Sequence, residues 1–208
     1  TFGVVVGTET TAKLQSDAAD DQKVLTDVRA DQLDSWLSNV KTSARTTTAH
    51  PTVTDGKVTE INDYLRELAD SERVPQGVVA VHYLNMSSME FEASSDSEFR
   101  GISPAEQGAP FAEDPPMFGG ASDAYVSGAF DIPATDFPVV AVISPVAGDA
   151  DHVGVYMVDI ASVLDEYSAA LDGGQTTIVS PDGTYVGHPN TSKIGTNHGE
   201  TAVLQQAL

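Results

Sequence analysis

Between Leu14 and Thr47 the chain has neither proline nor glycine, and this stretch restricts its fold more than any other feature. Leu25, Val28, Leu33, Trp36, Leu37, Val40 and Ala44 recur at the three- and four-residue spacing of one helix face. Asp20, Asp27, Asp31, Asp34 and Lys41 take the opposite face. The pattern predicts a helix of roughly 30 residues, about 45 Å at 1.5 Å per residue, against about 11 residues for an average helix. A helix of that length acts as a spine or pairs with a second copy. His50-Pro51 ends it, because the residue before a proline is pushed out of the helical region.

A second helix follows over Lys57–Ser71, with Ile61, Tyr64, Leu65 and Leu68 on one stripe, and Pro75-Gln76-Gly77 makes a turn. The period then changes to two. Val78–Leu84 reads as a strand and Ser88–Ala93 as its half-buried partner, joined closely enough to form a hairpin. Ser94–Gly120 is irregular and rich in Ser, Pro and Gly, with a short helix near Ser103–Gln107. A loop of that length in a compact domain is functional or mobile. Met86, Met89 and Met117, in and around it, read as core fillers, and Asp131 as a turn residue before Pro133.

Three more strands are expected at Ala124–Phe130, Phe137–Pro145 and His152–Ile160. The last runs into a helix, Ala161–Leu171, with Val163, Leu164, Tyr167 and Leu171 inward and Gly173-Gly174 as its stop. Five strands with short connections and flanking helices make an antiparallel sheet in an α+β domain. After Gly174 the pattern restarts: Thr176–Ser180 and Thr184–His188 are short strands around Pro181-Asp182-Gly183, and Ala202–Leu208 is helical. Two strands and a helix cannot bury a sheet face alone, so this segment reads as the start of a second module. The expected organisation is a helical stalk at 1–56, a sheet module at 57–172 and part of a second module at 173–208.

Charge sets the environment and excludes some partners. The 208 residues carry 31 acids against 10 bases, a formal charge of -21. Such a surface repels itself at low salt, whereas at about 1 M salt the Debye length is only about 3 Å and most of that cost disappears. The composition therefore reads as salt-adapted. Lys and Arg are too few and too scattered to track the phosphates of nucleic acid or an anionic membrane. No cysteine is present, which excludes disulfides and thiolate chemistry. The five histidines at 50, 82, 152, 188 and 198 lack the spacing of a zinc site, and no twelve-residue Ca²⁺ loop occurs, so neither metal nor cofactor is expected. Gly-x-Ser-x-Gly, a P-loop and His-Glu-x-x-His are absent, and the chain does not read as an enzyme. No run is long enough to span a bilayer. The opening Thr1-Phe2-Gly3-Val4-Val5-Val6-Gly7 reads equally as the last turns of a transmembrane helix or as an edge strand.

Two stretches are familiar: Gly154-Val155-Tyr156-Met157-Val158-Asp159-Ile160, a strand ending in aspartate before a helix, and Ser180-Pro181-Asp182-Gly183-Thr184-Tyr185-Val186-Gly187-His188-Pro189-Asn190 followed by Ile194-Gly195. With the long helix carrying Gln32–Leu37, they resemble the double Cache (dCache) family, the PAS-like extracellular sensor domains of chemotaxis transducers and sensor kinases, here of a haloarchaeal type. The resemblance implies a membrane-anchored receptor on the extracellular side, a distal PAS-like module that binds an amino acid or short carboxylate, and a homodimer compatible with the long helix. It also implies a site. Asp159 matches the strand-ending aspartate that holds a ligand amine, Arg100 lies where a carboxylate-binding arginine is expected, and Tyr125 matches the tyrosine of a Tyr-x-Asp element. Ser127 stands at that element's aspartate, and Ile102 and Ser103 stand where an aromatic pair is expected. Tyr83 completes the candidate set, although Tyr83, Tyr125 and His82 also suit core or rim positions. The competing reading is a secreted or cell-surface halophilic binding or adhesion module with no signalling role.

Overall fold

The computed structural model describes residues 28, 30–71, 73–133, 135, 137–168, 177–179, 183–188 and 190–197. The apolar start Thr1–Gly7, residues 14–27 of the expected long helix, Leu171, Gly173-Gly174, Pro181-Asp182, His198 and the helix expected at Ala202–Leu208 lie outside the described residues. The chain divides into two units, Thr1–Ser38 and Asn39–Leu208. In the first, residues 30–38 are helical, Val28 is about half exposed at 49%, and Leu33, Trp36 and Leu37 are partly buried.

The helix α1 is described over 30–48, and its part in the second unit, from Asn39 on, buries Val40, Ala44, Thr47 and Thr48, one stripe of its surface. It stops where His50-Pro51 requires. The same dipeptide also starts a short helix that the periodicity did not predict, α2 (Pro51–Asp55). His50 is extended, as the residue before proline must be, and its Nδ1 accepts the Thr52 amide at 3.2 Å as the N-cap. Its ring stacks on Tyr64 at 4.3 Å. The next helix, α3 (Val58–Ala69), buries Ile61, Leu65 and Leu68 on the expected stripe, and Glu60 accepts the Lys57 amide at its start.

The sheet is antiparallel in the order β2-β1-β6-β5-β3, with β4 also on β5. Its strands are β1 (Val78–Asn85), β2 (Glu90–Ser94), β3 (Tyr125–Val126), β4 (Phe130–Asp131), β5 (Pro138–Pro145) and β6 (His152–Asp159). The chain therefore has the expected α+β fold, an N-terminal helix on an antiparallel PAS-like sheet. One expected strand differs. Ala124–Phe130 is broken into β3 and β4, which take successive places along the same edge of β5. Ser127 bridges the gap: its amide donates to the Ala141 carbonyl and its Oγ accepts the Ala141 amide, both at 2.9 Å.

Period-two alternation gives the sheet two faces. Ala80, Leu84, Phe91, Val139, Ala141, Ile143, Val153, Val155 and Met157 form one core with Phe99, Ala109, Phe111 and Phe130. The irregular stretch covers this face as three 3₁₀ turns, Ser97–Phe99, Pro104–Gln107 and Pro110–Ala112. Asp96 and Ser103 cap the first two, and Asp123 holds the Gly119 and Gly120 amides at 2.6 and 3.1 Å. Met86 packs on this core and Met89 is partly buried. Met117 departs from the expected core role: after Pro115-Pro116 it is 99% exposed, and the sulfur in the core belongs to Met157.

The opposite face receives α1, through Thr47 and Thr48, and α3. Tyr156 is fully buried there and its hydroxyl lies 2.7 Å from Thr47 Oγ1. Burial raises its pKa above the usual phenol range, opposed by hydrogen bonds to Ser43 and Thr47. Beside it Gly154 lets α1 approach, since a Cβ at that position would meet Thr48 Cγ2 at 2.5 Å. Beyond β6, α4 (Ile160–Ser168) buries Ile160, Val163 and Leu164. A two-stranded sheet, β7 (Ile178–Val179) with β8 (Tyr185–Gly187), rests on α4 through Gly187, where a Cβ would stand 2.5 Å from Leu164 Cδ1.

Candidate functional site

Strand register aligns five residues of the loop-covered face in one row: Ser94 (β2), His82 (β1), Val155 (β6), Ile143 (β5) and Tyr125 (β3). At about 4.8 Å per strand the row spans roughly 14 Å from His82 to Tyr125. Val155 and Ile143 form an apolar floor between two side chains that carry polar atoms, and Tyr125 is half-buried against the core.

His82 is fully buried in the middle of an otherwise apolar strand. Its ring stacks on Phe91 at 4.4 Å and lies tilted against Phe99 at 5.1 Å. Burial lowers its pKa to about 3, so it is neutral. Its Nδ1 lies 2.8 Å from Ser94 Oγ, while Nε2 has no hydrogen-bond partner among the described residues. The other described histidines are engaged in the structure: His50 caps α2, His188 Nδ1 accepts the Asn190 amide, and His152 lies between Asp149 and Glu92.

The structure separates the six candidate residues. Arg100 is exposed and follows the turn whose Phe99 lies against His82. The Gly101 amide donates to the Phe91 carbonyl at 2.8 Å and the Phe91 amide to the Ile102 carbonyl at 3.0 Å, so the segment carrying Arg100 is tied to the outer edge of β2. Tyr125 stands on the same face at the far edge. Asp159 is paired with Val139 on β5, four residues and about 13 Å along β6 from the His82–Tyr125 row. Its Oδ1 accepts the Ala161 and Ser162 amides, both at 3.0 Å, which caps α4. Ser103 Oγ accepts the Ala105 amide at 3.2 Å. Ser127 Oγ donates to the Gly128 carbonyl at 2.7 Å besides accepting from Ala141. Both hydroxyls thus serve the backbone.

The structure sets Tyr83 apart from the loop-covered face. Its parity on β1 puts it on the helix-covered face, away from Tyr125 and His82, where its ring stacks on His152 at 4.7 Å. Burial, then the charges of Asp149 and Glu92, push its hydroxyl up to about 12. The residue of β1 that faces the loops is its neighbour His82, and the available sequence signal was one imidazole inside Val78–Leu84.

An open groove of about 490 Å³ lies on α2 and α3, lined by His50, Thr52, Glu60, Tyr64, Glu67 and Arg73 among others. It is a feature of the helices and shares no residue with the loop-covered face.

No protein-family model matches the chain. Solved structures resemble it in fold. The ligand-binding domain of the Pseudomonas fluorescens chemoreceptor CtaA, in complex with L-isoleucine, aligns with a TM-score of 0.60 at 18% identity, over 82% of this chain and 68% of that one. The ligand-binding domain of the Pseudomonas aeruginosa PAO1 amino acid chemoreceptor PctC, in complex with GABA, gives 0.61 at 16%, over 83% and 77%. An extracellular ligand binding receptor from Desulfohalobium retbaense gives 0.61 at 14%, over 88% of this chain and 33% of that one. No helix among the described residues is long and apolar enough to cross a membrane. The chain thus has the fold of chemoreceptor ligand-binding domains, with a sheet face roofed by loops and bearing a buried, half-bonded histidine.

Proposed function

We propose that this chain is the extracellular sensing part of a membrane-anchored, salt-adapted signalling receptor, a chemotaxis transducer of the double Cache type. Its loop-covered sheet face holds a small carboxylate-bearing solute such as an amino acid. The observation that carries the reading is likeness in fold, over more than four-fifths of this chain, to domains solved with L-isoleucine or GABA bound. In this reading 1–56 forms the stalk, 57–172 the ligand-binding module and 173–208 the first part of a membrane-proximal module.

The two faces of β6 support a route from ligand to stalk. Val155 and Met157 point to the loop-covered core, while Gly154 and Tyr156 between them hold Thr48 and Thr47 of α1. A solute that displaces β6 therefore acts on the helix, and packed elements respond by small shear displacements.

Arg100 supplies the ligand's charge partner, a role suited to a guanidinium that makes no ion pair among the described residues. In calorimetric titrations of L-amino acids and GABA at high salt, Arg100→Ala is expected to weaken binding about tenfold or more. Affinity that survives unchanged removes Arg100 from the site. Asp159→Asn separates its two roles, because asparagine caps a helix as well as aspartate does. The melting temperature is expected to hold, and a fall in affinity at constant Tm assigns Asp159 to the ligand amine.

A further inference from the structure

We propose that His82 Nε2–H donates a hydrogen bond to an oxygen of the ligand's carboxylate at the β1–β2 end of the loop-covered face. The proposal rests on the sensor reading above.

The neighbours favour one tautomer. Ser94 Oγ accepts the Asp96 amide at 3.0 Å and lies 2.8 Å from His82 Nδ1. If its second lone pair took a proton from Nδ1, its own hydroxyl proton would meet no acceptor among the described residues; given to Nδ1, that proton makes the nitrogen an acceptor and leaves the imidazole proton on Nε2. Nε2–H is then a fully buried donor with no acceptor among the described residues. The bond from Ser94 to Nδ1 accounts for one side of the ring, but the unpaired Nε2–H is a local cost that packing against Phe91 and Phe99 does not explain.

The surroundings select an oxygen acceptor. His82 is neutral, so it supplies a directed donor and no charge. The charge comes from Arg100, which directly follows the Phe99 that lies against the imidazole, on a segment bonded to Phe91 on both sides. On a chain of net charge -21 a carboxylate needs such a local cation. In this proposal His82 supplies a directed neutral donor and Arg100 the charge, while Tyr125 at the other end of the row is left for the remainder of the solute.

The test is nitrogen-detected NMR of the His82 ring in ¹⁵N-labelled protein at high salt, alone and with each of the common L-amino acids, GABA and acetate. Melting curves run in parallel. The expected result is the Nε2–H tautomer in the free protein and a shift of that proton with every solute that raises the Tm. The double variant His82→Phe with Ser94→Ala, which leaves neither ring nitrogen nor hydroxyl unpaired, should fold and bind about tenfold more weakly. An Nδ1–H tautomer, or a long-lived water on Nε2 that no stabilising solute displaces, overturns the proposal. A stabilising solute that leaves the Nε2 proton unmoved overturns it while the sensor reading stands. If no solute raises the Tm, the sensor reading fails and the proposal fails with it.

Discussion

Lowering NaCl from about 3 M to about 0.05 M is expected to reduce the Tm by about 10–20 °C, enough to unfold much of the protein near room temperature if its reserve is small. The cause is charge without compensation. Thirty-one acids face ten bases. Among the described residues the only pair between a carboxylate and Lys or Arg is Arg66–Asp63, at 3.4 Å on an exposed helix surface. A pair of that kind contributes between nothing and about 1 kcal/mol. The remaining acids repel one another through solvent, where the Debye length grows from a few ångströms at molar salt to roughly 10 Å at 0.1 M. A folding free energy of about 5–15 kcal/mol leaves little margin against that sum. Circular-dichroism melts at a series of NaCl concentrations check it, with sucrose as a neutral stabiliser that does not screen. A Tm that rises with NaCl well beyond the sucrose effect fits the account; a flat Tm contradicts the salt-adapted reading.

Phe111→Ala should destabilise the protein by about 3–5 kcal/mol, lowering the Tm by about 6–20 °C. Phe111 belongs to a three-residue turn inside the stretch that reads as irregular, yet its side chain is fully buried and meets Phe130 edge-on at 6.1 Å. Removing it leaves a cavity between the loop and the sheet, because backbone hydrogen bonds from Ala109 to Pro104 and from Ala112 to Ala109, both at 3.0 Å, hold the turn and keep it from closing over the gap. Chemical denaturation of the variant measures the loss. A change below about 1 kcal/mol would mean that the loop is a loose cover, and the roofed binding face would lose its basis.

The contrast between Phe111 and α3 marks how far the sequence could be read. The stripe of Ile61, Leu65 and Leu68 repeats over several turns, and the structure buries those residues. The β1–β2 hairpin and the long apolar strands β5 and β6 were legible for the same reason: each signal repeats along its element. The 3₁₀ turns over the sheet are three or four residues long, too short for a period, and the caps at Asp96 and Ser103, like the Asp123 carboxylate on Gly119 and Gly120, look like ordinary loop chemistry until the partner amides are seen. Ser127 carried a similar ambiguity. The resemblance puts it at a ligand-binding position, and in the fold its hydroxyl joins the segment between β3 and β4 to β5. At the site, parity decided what spacing could not: Tyr83 and His82 are adjacent, and only the register of β1 against β6 fixes which one faces the loops.

The central claim is that the loop-covered face binds a small carboxylate-bearing solute, and melting curves in about 3 M NaCl against L-amino acids, GABA and short carboxylates test it most directly. A solute present at about 100 times its Kd adds about 2.7 kcal/mol to the folded state. The account therefore predicts a rise of about 5–10 °C for at least one of them. A sample that melts cooperatively at the same temperature with every solute would contradict the claim and favour a cell-surface binding or adhesion module without a small ligand.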